Sequence, residues 1–298
     1  MIRQTLETPF RFILDARRIL AMRGAHPSAL QLLWCWLGFK MTRLGFKMTR
    51  KKKQSNAYHL RLGGHVIKSP LYWDLWEMFS DIFLSQSYLA PLPERPTIID
   101  CGSNVGCALL YFKLLAPKAS ITCFEPSSVI FSYLKENVDQ IGFANVNLVQ
   151  AACGKENGTI TFFIDQTHST ANTTKEIWEC KMETSEVTQV RLSDYIDGTI
   201  DLLKMNVEGA ELDVLEDLET ANKLPLVQRM IIRFHHNLNP SYSNLGCFLC
   251  KLECAGFVYT VVASRERVCR FARGWQSVTL YVWRPSVSNK RSVCTESG

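Results

Sequence analysis

The chain has 298 residues, 47% of them hydrophobic and 21% charged. This globular mix argues against a disordered or fibrous polypeptide, and at roughly 100–200 residues per domain it fits one large domain, or one domain with an extension. The formal net charge of +6 is uneven: residues 1–53 carry 12 Lys+Arg against 2 Asp+Glu, so the body that follows is slightly acidic.

The longest apolar run near the N-terminus, Ala29 to Phe39 broken by Gln31, is about half of the ~20 residues a membrane span needs. Arginines and acids scattered through the first 23 residues argue against a cleaved secretory signal. With no export signal, an odd count of 11 cysteines fits reduced thiols and a cytoplasmic location. Cys101, Cys107, Cys123, Cys153 and Cys180 sit singly among apolar or strand-like residues and read as small core hydrophobes. The two N-x-T sequons, at Asn157 and Asn172, are read as chance matches.

Residues 1–57 read as a basic, partly amphipathic extension. Ile2, Leu6, Phe10, Ile13, Leu14 and Ile19 recur at helical spacing with arginines between them. Three readings stay open for that helix: docked on the domain, lying on an anionic membrane surface, or an arm for another acidic partner. Leu37 to Arg43 is repeated directly as Leu44 to Arg50, a tandem duplication too short to be a solenoid repeat.

Residues 58–96 lead into the core. Tyr58 to Lys68 alternates like a hairpin with Gly63-Gly64 as its turn. Leu71 to Leu84 has helical spacing, and Pro91, Pro93 and Pro96 form a linker. Residues 97–285 then alternate strand and helix. Strands are predicted at 97–101, 120–124, 145–151, 159–164, 186–192, 201–207, 230–234, 257–263 and 277–284. Helices are predicted at 105–115, 129–141, up to about 218, and 245–255. This is an α/β pattern with a mostly parallel sheet covered on both faces. Residues 286–298 read as a flexible tail.

The first of these strands ends in Asp100-Cys101-Gly102-Ser103-Asn104-Val105-Gly106, a D-x-G-x-N-x-G turn that opens a helix. It is neither the G-x-G-x-x-G of dinucleotide binders nor a P-loop. Glycines here let backbone approach a ligand, and in an open α/β sheet ligands sit at such carboxyl ends. The next strand ends in Glu125-Pro126, and a carboxylate there can accept hydrogen bonds from both ribose hydroxyls. A ribose-reading acid without a phosphate motif points to S-adenosylmethionine (SAM) rather than a nicotinamide cofactor.

Asp201-Leu202-Leu203-Lys204-Met205-Asn206-Val207-Glu208-Gly209-Ala210-Glu211 resembles the D-x-x-K-x-D-V-E-G-A-E signature of FkbM-type SAM-dependent methyltransferases. Other pieces follow in the family's order: Phe79 to Tyr88, Asp100 to Gly106, Asn157-Gly158-Thr159 and Arg233-Phe234-His235. The resemblance covers roughly residues 75–260. It implies the class I methyltransferase fold, a Rossmann-like seven-stranded sheet whose last strand is antiparallel. It also implies O-methylation of a hydroxyl on a small molecule or glycan. Asp100, Gly102, Ser103, Asn104, Gly106, Glu125, Pro126 and Ala151 are then the expected cofactor-binding residues, and no metal site is expected. Two positions depart from the family's pattern: Asn206 replaces an Asp and Arg233 a Glu. They keep open a catalytically altered binding protein on the same scaffold. A nucleic-acid methyltransferase is a further alternative, but no N/D-P-P-Y/F motif follows the fourth core strand and no specific nucleic acid is expected.

An alcohol is a weak nucleophile and calls for a general base within hydrogen-bond reach. The candidates at the strand ends are Asn206, Glu208, His235 and His236. His235, with a near-neutral pKa, is the expected base, with Glu208 and Asn206 orienting it or the acceptor. Glu208 also reads as a helix cap and His235 as a structural histidine. Lys204 reads as a buried ion-pair partner of Glu208 or Glu211. Cys247, Cys250 and Cys254 lie on one face of an otherwise apolar helix and read as core rather than as a metal or redox site. Arg265 to Arg273 with Arg284 form a second basic cluster, read as a solvated loop or as a site for an anionic substrate.

Overall fold

The computed structural model describes residues 29–49, 57–164, 173, 183–236, 245–263 and 276–285. The expected helix over residues 2–22, the Arg265 to Arg273 cluster and the C-terminal tail lie outside these residues. Five apolar strands run parallel: β3 (Thr97–Cys101), β4 (Ser120–Phe124), β5 (Val146–Val149), β9 (Leu202–Met205) and β10 (Arg229–His236). Two more, β11 (Val258–Ala263) and β12 (Gln276–Trp283), complete a seven-stranded sheet in the order β11-β12-β10-β9-β3-β4-β5. β12 is antiparallel to both its neighbours. This is the Rossmann-like sheet that the resemblance implies.

Successive strand residues point to opposite faces, and each face has its own core. Ile98, Ile121, Leu202 and Ile231 pack on one side. Ile99, Cys101, Leu203, Met205 and Ile232 pack on the other. The first face is covered by α3 (Cys107–Leu115) and α4 (Ser128–Ile141). The second is covered by α5 (Glu211–Thr220) and α6 (Leu245–Cys254). A side sheet of β6 (Ala152–Gly154), β7 (Gly158–Ile164) and β8 (Glu183–Arg191) accounts for the additional strands expected there.

Several expectations need correction. On α6, Phe248 and Leu252 are buried but Cys247, Cys250 and Cys254 are exposed. The apolar stripe is thus narrower than a count that includes cysteine suggests. Arg284 is not in a solvated loop: its guanidinium donates to the carbonyls of Val227, Leu224 and Ala255 at 3.1, 2.8 and 3.1 Å and stacks on Phe257. The helix expected over 71–84 is α2 (Tyr72–Met78) followed by a π-helical turn, Phe79–Leu84.

The extension is also not wholly accessory. Residues Ala29–Thr49 form α1, which lies against the hairpin of β1 (Tyr58–Leu62) and β2 (His65–Ser69). Leu32, Trp36 and Phe39 are buried, and the Phe39 ring meets Tyr72, Trp76 and Phe79 at 5.2–5.7 Å. Tyr72 donates its hydroxyl to the Phe39 carbonyl at 2.6 Å. None of the described helices is long and apolar enough to cross a membrane. If α1 is part of the packed body, Trp36→Ala lowers unfolding free energy by about 3–5 kcal/mol. Urea denaturation reads this directly, and a loss below about 0.5 kcal/mol would return α1 to the accessory role.

Candidate active site

The carboxyl ends of β3, β4, β9 and β10 meet at one edge, and the expected residues gather there. Asp100 and Lys204 are register partners on adjacent parallel strands, both buried, with Nζ 2.8 Å from Oδ1. Lys204 therefore pairs with Asp100 and not with Glu208 or Glu211. It also donates to the Gly102 and Cys101 carbonyls at 2.7 and 3.3 Å, and its Nζ lies 5.5 Å from the centre of the Tyr88 ring. Burial opposes its charge, but the Asp100 carboxylate prevails and raises its pKa above the usual lysine value.

Beyond Cys101 the chain turns sharply. Gly102 has φ +79°, and a Cβ there would strike the Asn206 carbonyl oxygen. The N–H groups of Gly102 and Ser103 donate to the Phe124 carbonyl at 3.0 and 2.9 Å, and Ser103 Oγ donates to the Asp100 carbonyl. Asn104 is left-handed, and Gly106 caps α3. The Asn104 N–H donates to Glu125 Oε2 at 3.0 Å, and the Ser127 N–H to Glu125 Oε1 at 2.9 Å. Burial pushes the Glu125 carboxyl up to about 7 against these two hydrogen bonds. Pro126 lines a cavity of about 340 Å³ together with Gln150, Phe162 and Val187. Ala151 is buried beside it in sequence, its N–H on the Val149 carbonyl.

After β9, the Asn206 N–H donates to the Cys101 carbonyl at 3.0 Å, joining the two turns. Its Oδ1 and the Asp100 Oδ2 are buried with no hydrogen-bond partner among the described residues. Glu208 is left-handed at φ +52°. Its carboxylate lies 3.0 Å from His235 Nε2, while Glu211 Oε1 lies 2.8 Å from His235 Nδ1. Glu211 also accepts the Gly209 N–H. The three side chains form a line, Glu211–His235–Glu208, in which His235 is buried and Glu208 slightly more open. Burial opposes the imidazolium, but the two carboxylates outweigh it and raise the His235 pKa. Burial raises the Glu208 carboxyl from 4.5 to about 7. Both shifts are upward, so the folded state binds more protons than the unfolded chain. The contribution of Glu208 to stability therefore falls as pH rises from about 4.5 through 7, and that of His235 falls as pH rises above its usual 6.5.

Both His235 nitrogens are engaged by carboxylates, so His235 does not present the free ring nitrogen that the sequence reading asked of it. His236 follows it at the end of β10, half-buried. Arg233 pairs with Asp81 of the π-helical turn at 2.6 Å, and Asp81 also accepts from Ser87 Oγ. Asp81 and Tyr88 lay within the quoted Phe79 to Tyr88 segment, but their contacts with Arg233 and Lys204 were not visible because those partners lie far along the chain. Glu211 was visible as the last residue of the quoted signature, but its contact with His235 was not.

Residues 100–257, just over half of the chain, match the Methyltransferase FkbM domain family. Methyltransferase 1 of Beauveria bassiana (strain ARSEF 2860) is 30% identical over 167 residues, 47% of this chain and 65% of that protein. Methyltransferase sdnD of Sordaria araneosa is 31% identical over 176 residues, 48% and 68% of the two chains. The 31-O-demethyl-FK506 methyltransferase FkbM of Streptomyces tacrolimicus is 28% identical over 224 residues, 63% and 83% of the two chains. The solved structure of a methyltransferase FkbM from Methylobacillus flagellatus KT is similar with a TM-score of 0.46 at 15% identity, over 66% of this chain and 46% of that one. The family match over residues 100–257 thus shows that the chain belongs to the FkbM methyltransferase family, and its own strand order is Rossmann-like.

Proposed function

We propose that this protein is a SAM-dependent O-methyltransferase whose acceptor is a hydroxyl on a small molecule or glycan. The observation that carries this reading is the Glu211–His235–Glu208 line beside the Asp100–Gly106 turn. The relative named as a 31-O-demethyl-FK506 methyltransferase lends support from its own oxygen acceptor.

The chain's residues fit SAM. The unpartnered Asp100 Oδ2 and Asn206 Oδ1 are buried acceptors suited to an ammonium group. Each Glu125 oxygen accepts one backbone N–H and keeps a lone pair for a ribose hydroxyl. When bound, SAM supplies an electrophilic methyl group on sulfur.

The protein's own task is to orient the acceptor and remove its proton. Glu208 suits the second role, because a buried carboxylate with pKa about 7 is a stronger base than an exposed one. His235 positions Glu208, and Glu211 positions His235. The roles expected from sequence are thereby exchanged, while Asn206 remains an orienting group. Glu208, His235 and Glu211 are all present and aligned, which favours catalysis over a binding protein. The Arg233 departure is accommodated by Asp81.

Glu125→Ala weakens SAM binding about 30-fold, since hydrogen bonds to a charged group contribute on the order of 2 kcal/mol or more. Calorimetry giving wild-type affinity in the variant, or wild-type binding of a nicotinamide cofactor in place of SAM, would reject the assignment. Glu208→Gln lowers kcat by about 10²–10⁴ with SAM affinity kept. The wild-type kcat rises with pH to a plateau through an inflection near 7, where Glu208 loses its proton, and the variant lacks it. Turnover within a few-fold of wild type in that variant would remove Glu208 as the base.

A further inference from the structure

α1 has two apolar faces. Leu32, Trp36 and Phe39 turn inward, whereas Leu30, Trp34 and Met41 are 64%, 72% and 68% exposed. Their spacing of four and seven residues puts the exposed three on one stripe. Trp73, the second residue of α2, is a further exposed ring.

Beside the stripe an open groove of about 600 Å³ runs between α1 and the hairpin. Trp34, Gly38 and Thr42 line its helix wall, and His59, Arg61 and His65 line the other. Both walls mix apolar and polar residues, and Arg61 is the charged group among those lining the groove. The sequence extends that charge: residues 16–73 contain 12 Lys+Arg and no Asp or Glu.

We propose that the outer face of α1 and the adjoining hairpin dock on an anionic lipid bilayer. Trp34 seats at headgroup depth, where indole rings concentrate, with Leu30 and Met41 against the acyl boundary. The positive charge of this stretch of sequence supplies the attraction to anionic headgroups. α1 lies along the surface, since no described helix can cross a membrane. A second copy of the chain fits this face less well. A two-fold contact would set the same positive field against itself. Nucleic acid fits less well too: Trp34 offers a stacking plane, but Leu30 and Met41 on either side of it are aliphatic and make no base-edge or phosphate contact.

The test is co-sedimentation of the full chain with vesicles of phosphatidylcholine, with and without roughly a third phosphatidylserine. The protein binds the anionic vesicles at about 0.1 M salt and is released at about 0.5 M, and it binds the neutral vesicles weakly. Trp34→Ser with Met41→Ser weakens binding about tenfold and leaves thermal unfolding unchanged, both side chains being exposed. Lys51→Glu, Lys52→Glu and Lys53→Glu together test the charge without touching the stripe. Equal binding by parent and Trp34/Met41 variant overturns the proposal, as does failure to bind anionic vesicles. So does a concentration-dependent dimer that the same variant abolishes, or binding to a single-stranded oligonucleotide in preference to the vesicles.

Discussion

The buried ion pair between Asp100 and Lys204 is the contact on which the site depends. The two residues lie opposite each other on β3 and β9, at the heart of the parallel sheet. Removing two charges from water costs several kcal/mol per ion, and a pair survives there only when the remaining protons and lone pairs are used. Lys204 meets that condition by donating to two carbonyls of the β3 turn. The Asn206 N–H then ties β9 back to Cys101, and Gly102 lets the two turns touch. Two adjacent loops are thereby held in one position, and the oxygen that Asp100 does not spend on Lys204 is buried with no hydrogen-bond partner among the described residues.

The second constraint is at Glu208. A non-glycine residue at φ +52° stores on the order of 1–3 kcal/mol of strain and persists only where its surroundings fix it. They do so here: Thr173 donates its hydroxyl to the Glu208 carbonyl, His235 holds the carboxylate, and Glu211 holds both His235 and the Gly209 N–H. The strain, the burial and the upward pKa shift fall on one side chain. Buried groups poised near neutral pH are what proton-transfer sites require.

The scaffold was legible because parallel strands buried on both faces read as apolar runs such as Thr97–Cys101 and Leu202–Met205. The turn after β3 was legible from Gly102 and Gly106, and the end of β4 from Glu125-Pro126. Pairings were not legible. Nothing in the sequence sets the register of β3 against β9, so Lys204 could not be matched to Asp100. The π-helical turn at Phe79–Leu84 keeps an α-like apolar spacing, so the placement of Asp81 on Arg233 had no local signal. His235 was found from its type, but the two carboxylates that engage both of its ring nitrogens were not legible. The face of α6 was misread because cysteine counts as apolar in a pattern, yet three cysteines stand in solvent.

The central claim is that the Asp100–Lys204 pair holds the two strand ends together as one unit. A double-mutant cycle on unfolding free energy with Lys204→Met and Asp100→Asn measures this most directly. Lys204→Met alone leaves an unpaired buried carboxylate and costs about 3–5 kcal/mol. Adding Asp100→Asn recovers part of that loss, giving a coupling of about 1 kcal/mol or more between the sites. Additive losses, or a cost below about 1 kcal/mol for Lys204→Met, would contradict the account.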